Sequence, residues 1–175
     1  MNEGFESVQT KSQIHRIADL ASAIWNEHFP PIIGQDQVDY MLSHFQSEEA
    51  ITIQIQNEGY RYYFIPCDGN KVGYFSIRPD PDALFLSKIY ILRDYRGRGL
   101  ARSSFKFIED QCQLMDLPRI RLTVNRENAH TIEIYRKIGF SIVRTQVVDI
   151  GGGFVMDDYV MEKTILPSPT YDVGI

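Results

Sequence analysis

The sequence predicts an α/β protein of the α+β kind, with a mixed, mostly antiparallel central sheet flanked by helices. Three observations predict it. Two apolar runs meet at Cys67-Asp68-Gly69-Asn70, and Asp-Gly between such runs signals a hairpin. Strand-like and helix-like segments alternate from residue 84 to residue 140. Two more strand-like runs close the chain, separated by Gly151-Gly152-Gly153, which marks a bulge or tight bend.

Residues 5–10 read as a short strand. From Ser12, a good N-cap, Ile14, Ile17, Ala21, Ile24 and Trp25 recur at helical spacing. That pattern stops at Phe29-Pro30-Pro31, because proline cannot continue a helix. A second helix is expected over about 35–46, with Val38, Met41, Leu42 and Phe45 on one face. Residues 48–57 carry two patterns. Ile51, Ile53 and Ile55 alternate as in a strand, whereas the Ser-Glu-Glu start suits a helix and Gly59 would end one, so a helix is expected. Strands follow at 60–66 and 71–78, then a turn at Pro79-Asp80-Pro81-Asp82 and a long buried strand at 84–92. A helix runs from near Gly99 to about Met115, with Leu100, Ser104, Phe107, Ile108 and Leu114 facing the core. Strand 119–124, helix 127–138 and strands 140–149 and 153–165 complete the pattern. Residues 1–166 are expected to form a single domain, and 167–175, with two prolines, a loose tail.

With 43% hydrophobic and 12% aromatic residues over 175 positions, the chain has material for one core. Its net charge of −5 opposes electrostatic capture of nucleic acid or an anionic membrane and favours cationic small molecules. Cys67 and Cys112 belong to no CxxC or metal-spaced set, so reduced thiols are expected. His15, His28, His44 and His130 are dispersed, and no metal site is expected. No apolar run approaches the ~18 residues of a membrane helix. The start Met1-Asn2-Glu3-Gly4-Phe5 is neither basic nor apolar, so the expected location is cytoplasmic.

Two segments carry chemistry. Tyr95-Arg96-Gly97-Arg98-Gly99-Leu100-Ala101-Arg102 joins a buried strand to a helix. Its glycines let the backbone turn tightly, and the helix start presents unsatisfied N–H groups to an anion. Read alone, the segment is either an anion cradle or an ordinary turn with solvated arginines. It is neither a P-loop nor a Gly-x-Gly-x-x-Gly fingerprint, since position 102 is Arg. The second segment begins at Val124-Asn125-Arg126-Glu127-Asn128-Ala129-His130, where a strand ends and a helix is capped. Ile134 and Ile138 then share a face, and Gly139 stops the helix before Phe140.

Arg-Gly-Arg-Gly-Leu-Ala resembles the coenzyme A loop of the GNAT family of N-acetyltransferases, Gln/Arg-x-x-Gly-x-Gly/Ala. Asn128-Ala129 followed by Tyr135 and Gly139-Phe140 is similar to the same family's second signature. The resemblance is specific over 84–140 and looser over the N-terminal helices. It implies the GNAT acyltransferase fold, with strands 84–92 and 119–124 splayed apart to admit acetyl-coenzyme A. It implies that the main chain of Ile89, Tyr90 and Ile91 pairs with the pantetheine arm. Arg96, Gly97, Arg98, Gly99, Leu100, Ala101 and Arg102 would hold the pyrophosphate, and Asn128 would hydrogen-bond the cofactor. Tyr135 would stand beside the thioester sulfur as general acid, its other reading being an amphipathic core tyrosine.

The activity implied is acetyl transfer from acetyl-coenzyme A to a primary amine, by direct attack in a ternary complex. The acceptor would be a small molecule, polyamine-like or other, or a protein N-terminus. The ending Met156–Lys163 resembles polyamine-acetylating bacterial members. A non-catalytic module that binds or senses acetyl-coenzyme A is the alternative, and a homodimer stays open. With the basic residues gathered at the loop, the acceptor groove is expected to be neutral or acidic. Neither central strand offers a carboxylate: one has Ser87 and Lys88, the other Thr123. The base is therefore open among a water chain, Glu27, His28, Asp157 and Asp158, each more commonly a solvated surface group.

Overall fold

The computed structural model describes residues 4–167, so 168–175 of the expected tail lie outside the described residues. The chain enters through β1 (Glu6–Ser7) into helix α1 (Lys11–His28). Thr10, not Ser12, is the N-cap. Its hydroxyl accepts from Gln13 N–H at 3.2 Å, while Gln13 Oε1 accepts from Thr10 N–H at 2.9 Å. This reciprocal box satisfies two orphan donors at once, an advantage that Ser12 lacks. Pro30 occupies the first position of α2 (Pro30–Ile33), so the prolines both stop one helix and start the next.

Helices α3 (Gln35–Phe45) and α4 (Glu48–Asn57) follow. The Ser47 hydroxyl caps α4 by accepting from Ala50 N–H at 3.2 Å. Ile51 and Gln54 are buried and Ile53 is exposed, so 48–57 follows the helical period over the alternating one. Strands β2 (Arg61–Cys67) and β3 (Asn70–Pro79) form the expected hairpin, with Asp68 and Gly69 both left-handed at φ 50° and 77°.

Next come β4 (Leu84–Ile91), a 3-10 turn at Arg93–Tyr95, α5 (Leu100–Leu114), β5 (Arg119–Asn125) and α6 (Ala129–Ile138). Strands β6 (Ser141–Gly151) and β7 (Phe154–Thr164) close the chain as a hairpin turned by the three glycines. Helix α6 starts two residues later than the sequence suggests, because Asn125 Oδ1 accepts from Glu127 N–H at 2.9 Å and holds a turn there. On α5 the inward residues are Ser104, Phe105, Ile108 and Cys112. Leu114 is 79% exposed, since it follows Cys112 by about 200° around the helix. Cys67 and Cys112 are both free thiols.

Among the described residues seven strands form one sheet in the order β1-β2-β3-β4-β5-β7-β6, matching the expected mixed, mostly antiparallel architecture. Among the described strands only β4 and β5 run parallel. They pair only from Leu84–Leu86 to Ile120–Leu122 and then part. Helices α5 and α6 cover one face, where Ile108 of α5 packs with Phe75 and Ile120, and α1–α4 cover the other, where Ile17 of α1 packs with Tyr62 and Tyr74.

One irregularity decides which side chains face which layer. Ser76 pairs with Lys88 but Ile77 pairs with Leu86, so Ser87 is an extra residue bulged from β4. Before it, Leu84 and Leu86 face the α5–α6 core. After it, Ile89 and Ile91 take that side, and Tyr90 joins the α1–α4 side. The bulge reverses the alternation of the strand and turns Lys88 out of the hydrocarbon core.

Candidate active site

Where β4 and β5 part, a cavity of about 1280 Å³ passes through the sheet, lined by α1, α3 and α4 on one side and by α5 and α6 on the other. In its α5 half the β4–α5 loop bends through Gly97 and Gly99 at φ 76° and 77°. No atom lies within 4 Å of where either Cβ would stand, so the backbone is open to a ligand. No side chain caps α5, whose first N–H groups face this end. Arg96, Leu100, Ala101 and Arg102 line the same end. Open glycines, free N–H donors and flanking cations fit a pyrophosphate.

Arg96 Nε donates to the Ile91 carbonyl at 2.9 Å, tying the loop to the strand end. Arg98 is the expected loop residue whose side chain is not brought to the cavity. It turns to Asp68 at 3.5 Å and lies 5.2 Å over the Tyr95 ring. Ile89, Tyr90 and Ile91 border the gap left by the parting strands. Asn128 is buried at the N-cap of α6 without capping it. Nearby, burial pushes the His28 imidazole below its ordinary value, the Arg96 guanidinium adds to this, and Asn128 opposes it.

Tyr135 lines the cavity with its ring 5.9 Å from Phe105 and 6.0 Å from Phe140. Its hydroxyl has no hydrogen-bond partner among the described residues, and burial raises its pKa well above the ordinary phenol value. The phenol is therefore a proton donor across the working pH range.

Geometry separates the three carboxylates among the candidate bases, while His28 lines the cavity as well. Asp157 is exposed and pairs with Arg126 at 3.4 Å. Glu27 is held by Arg93, at 3.7 Å from its Nε. Asp158, by contrast, is only 3% exposed and lines the cavity, not solvent. It sits on β7 opposite Asn125 of β5, and among the described residues its carboxylate has neither an ion pair nor a hydrogen bond. Burial, then the Asp157 charge, pushes it up to about 6. It also stands close enough to Tyr90 to oppose ionisation of that phenol, behind burial, Tyr135 and Tyr62. A single sequence marks Asp158 only as one of two adjacent acids, since pairing decides which of them turns inward.

Lys88 is the residue that sequence reasoning passed over. It is 8% exposed and lines the α1–α4 half of the cavity, beside Gln54, Tyr60 and Ser87. No motif marks it, because its direction depends on the bulge at Ser87. Among the described residues no cluster of three or more His, Cys, Asp or Glu could hold a metal. No described helix is long and apolar enough to cross a membrane.

The family model described as acetyltransferase (GNAT) family matches residues 18–140. The chain is 23% identical over 156 residues to an uncharacterized N-acetyltransferase of Lactobacillus delbrueckii subsp. lactis, covering 82% of this chain and 90% of that one. It is 33% identical over 93 residues to spermidine N(1)-acetyltransferase of Escherichia coli, covering 50% of this chain and about half, 49%, of that enzyme. The fold superposes on a PaiA N-acetyltransferase from Thermoplasma acidophilum in complex with coenzyme A with a TM-score of 0.74. That match covers 92% of this chain and 99% of the other at 17% identity, which shows a shared fold.

Proposed function

This chain belongs to the acetyltransferase (GNAT) family, and from that premise we propose that it carries acetyl from acetyl-coenzyme A to a primary amine. The transfer is direct, with both reactants held together in the cavity between β4 and β5. One observation carries the proposal: an unpartnered phenol, Tyr135, and an unpartnered carboxylate, Asp158, line one cavity with oppositely suited protonation states. Such a pair supplies an acid and a base at one pH.

Acetyl-coenzyme A supplies an activated acetyl thioester. The backbone from Gly97 to Arg102 holds the pyrophosphate, and the exposed edge of β4 at Ile89–Ile91 aligns the pantetheine arm. Asn128 anchors the arm beside α6. An aliphatic amine is an ammonium at neutral pH, with a pKa near ~10, and cannot attack until it loses a proton. Asp158, ionised above about 6, draws that proton away. Tyr135 donates its hydroxyl to the sulfur, where negative charge develops as the thiolate leaves. No covalent enzyme intermediate forms, so no Cys-His or Ser-His pair is required. Amine acceptors are supported by the relative named for spermidine.

The experiment is release of coenzyme A thiol against a panel of amines and protein N-terminal peptides, with mass analysis of products. Acetylated amine is expected. A chain that binds acetyl-coenzyme A tightly yet acetylates nothing would instead be a sensing module.

A further inference from the structure

The acid and the base leave a buried charged group of the cavity, Lys88, unused. Lys88 presents three N–H donors, and three neutral oxygens take them: Gln54 Oε1 at 3.0 Å, Tyr62 hydroxyl at 2.9 Å and Ser87 hydroxyl at 3.4 Å. The cradle is itself braced. Gln54 Nε2 donates to the Phe45 carbonyl at 3.0 Å, which turns Oε1 toward Lys88. The Tyr62 hydroxyl gives its own proton to Gln54 Oε1, so it meets Lys88 with a lone pair. The rings of Tyr60 and Tyr62 stand 5.4 and 5.2 Å from the ammonium.

Each of these neighbours offers a lone pair or a π face, which suits an ammonium, and only the Ser87 hydroxyl keeps a proton that a free-base amine could accept. Lys88 is built to be a cation. What it lacks is a contact anion: among the described residues it forms no ion pair, and Glu58, an exposed acid that also lines the cavity, favours its charged form without a hydrogen bond to it. Burial, against a smaller opposing pull from the Glu58 carboxylate, pushes the ammonium down to about 7. A buried cation without a partner, facing a cavity made for another molecule, is half of an ion pair.

We propose that the acceptor brings the other half: a carboxylate-bearing amine of the amino-acid class, whose carboxylate pairs with Lys88 while its amino group faces Asp158. This rests on the acetyl-transfer reading above. The Ser87 hydroxyl, the longest of the three contacts and itself on the cavity wall, is the partner that yields to the carboxylate. Trp25, Phe29, Met41 and Phe45 line the same half and suit an apolar body between the two ends. The sequence leads one to expect a neutral or acidic groove. The bulge places a lysine in its wall along with Glu58 and Asp158, which disfavours a second ammonium only where it would stand next to Lys88.

The test pairs each amino acid with its own decarboxylation product, so only the carboxylate differs: L-phenylalanine with phenethylamine, L-leucine with isoamylamine, L-lysine with cadaverine. Wild type should favour the acid of at least one pair in kcat/KM by on the order of 10²-fold, the size typical of a buried charge pair. Lys88→Met should erase that preference with acetyl-coenzyme A affinity unchanged, and Lys88→Arg should keep part of it. A second readout needs no turnover. Calorimetry of isovalerate binding to the coenzyme A-loaded protein at about pH 8, in buffers of different ionisation enthalpy, should show proton uptake as the carboxylate recharges Lys88. A wild type that prefers the decarboxylated partner in every pair, or a Lys88→Met that changes both members equally, would overturn the proposal. So would isovalerate binding without proton uptake. Lys88-dependent isovalerate binding with no acetylation of any amine would leave the anion site standing and remove the transfer reading.

Discussion

Asp158→Asn should make the protein more stable and nearly inactive. The carboxyl is held at about 6 against an ordinary value of 3.8, so between those values the native chain binds the proton and the unfolded chain does not. Stability therefore falls as pH rises through that window and stays low above it. At about 1.4 kcal/mol per pH unit, ionised Asp158 costs the fold about 3 kcal/mol at neutral pH. Asparagine removes the charge but keeps a buried amide, which returns about 1–3 kcal/mol of that gain. The variant should therefore unfold at equal or higher denaturant than wild type at about pH 7, with the difference shrinking toward about pH 5. Turnover should fall by about 10²-fold or more, and the acidic limb of the wild-type kcat/KM profile, centred near 6, should vanish. The assays are urea unfolding at both pH values and initial rates of thiol release with a confirmed acceptor. Near-native turnover with the acidic limb intact would refute the assignment. A stability difference that does not depend on pH would refute the raised carboxyl itself.

Tyr135→Phe keeps the ring contacts to Phe105 and Phe140 and deletes only the donor, so the maximal rate should fall about 10²-fold with acetyl-coenzyme A affinity unchanged; an unchanged rate returns the residue to the core. Gly99→Val forces a branched side chain onto a backbone at φ 77° and into the space open to a ligand, so calorimetry should show acetyl-coenzyme A binding largely lost. Gly73→Ala would place a methyl 2.3 Å from the Tyr90 carbonyl, pushing β3 from β4 beside the site. Thermal unfolding should report a loss of about 1–3 kcal/mol, and a native-like melting temperature would show that the strands can yield.

Elements whose signal is local were legible. Asp68-Gly69 forms its hairpin because both residues tolerate the left-handed conformation the turn demands. Helix α4 was recoverable because Ser47 caps it, although three isoleucines alternate along it. The errors at Ser12 and Leu114 were local too, each overridden by a reciprocal cap or by helical phase.

The α5–α6 half of the cavity was legible in the sequence, because its parts are contiguous: one loop and the helix it opens, from Tyr95 to Arg102, followed by Asn128 and Tyr135 within ten residues of each other on α6 and its cap. The opposite half was decided only by tertiary structure. Lys88, Gln54, Tyr62 and Asp158 come from β4, α4, β2 and β7, and no spacing links them. Whether the strand residues Lys88 and Asp158 face the cavity turns on pairing between strands: one bulged residue directs Lys88, and register against β5 separates buried Asp158 from exposed Asp157. A strand's alternation is written in the sequence, but the point where a partner strand reverses it is not.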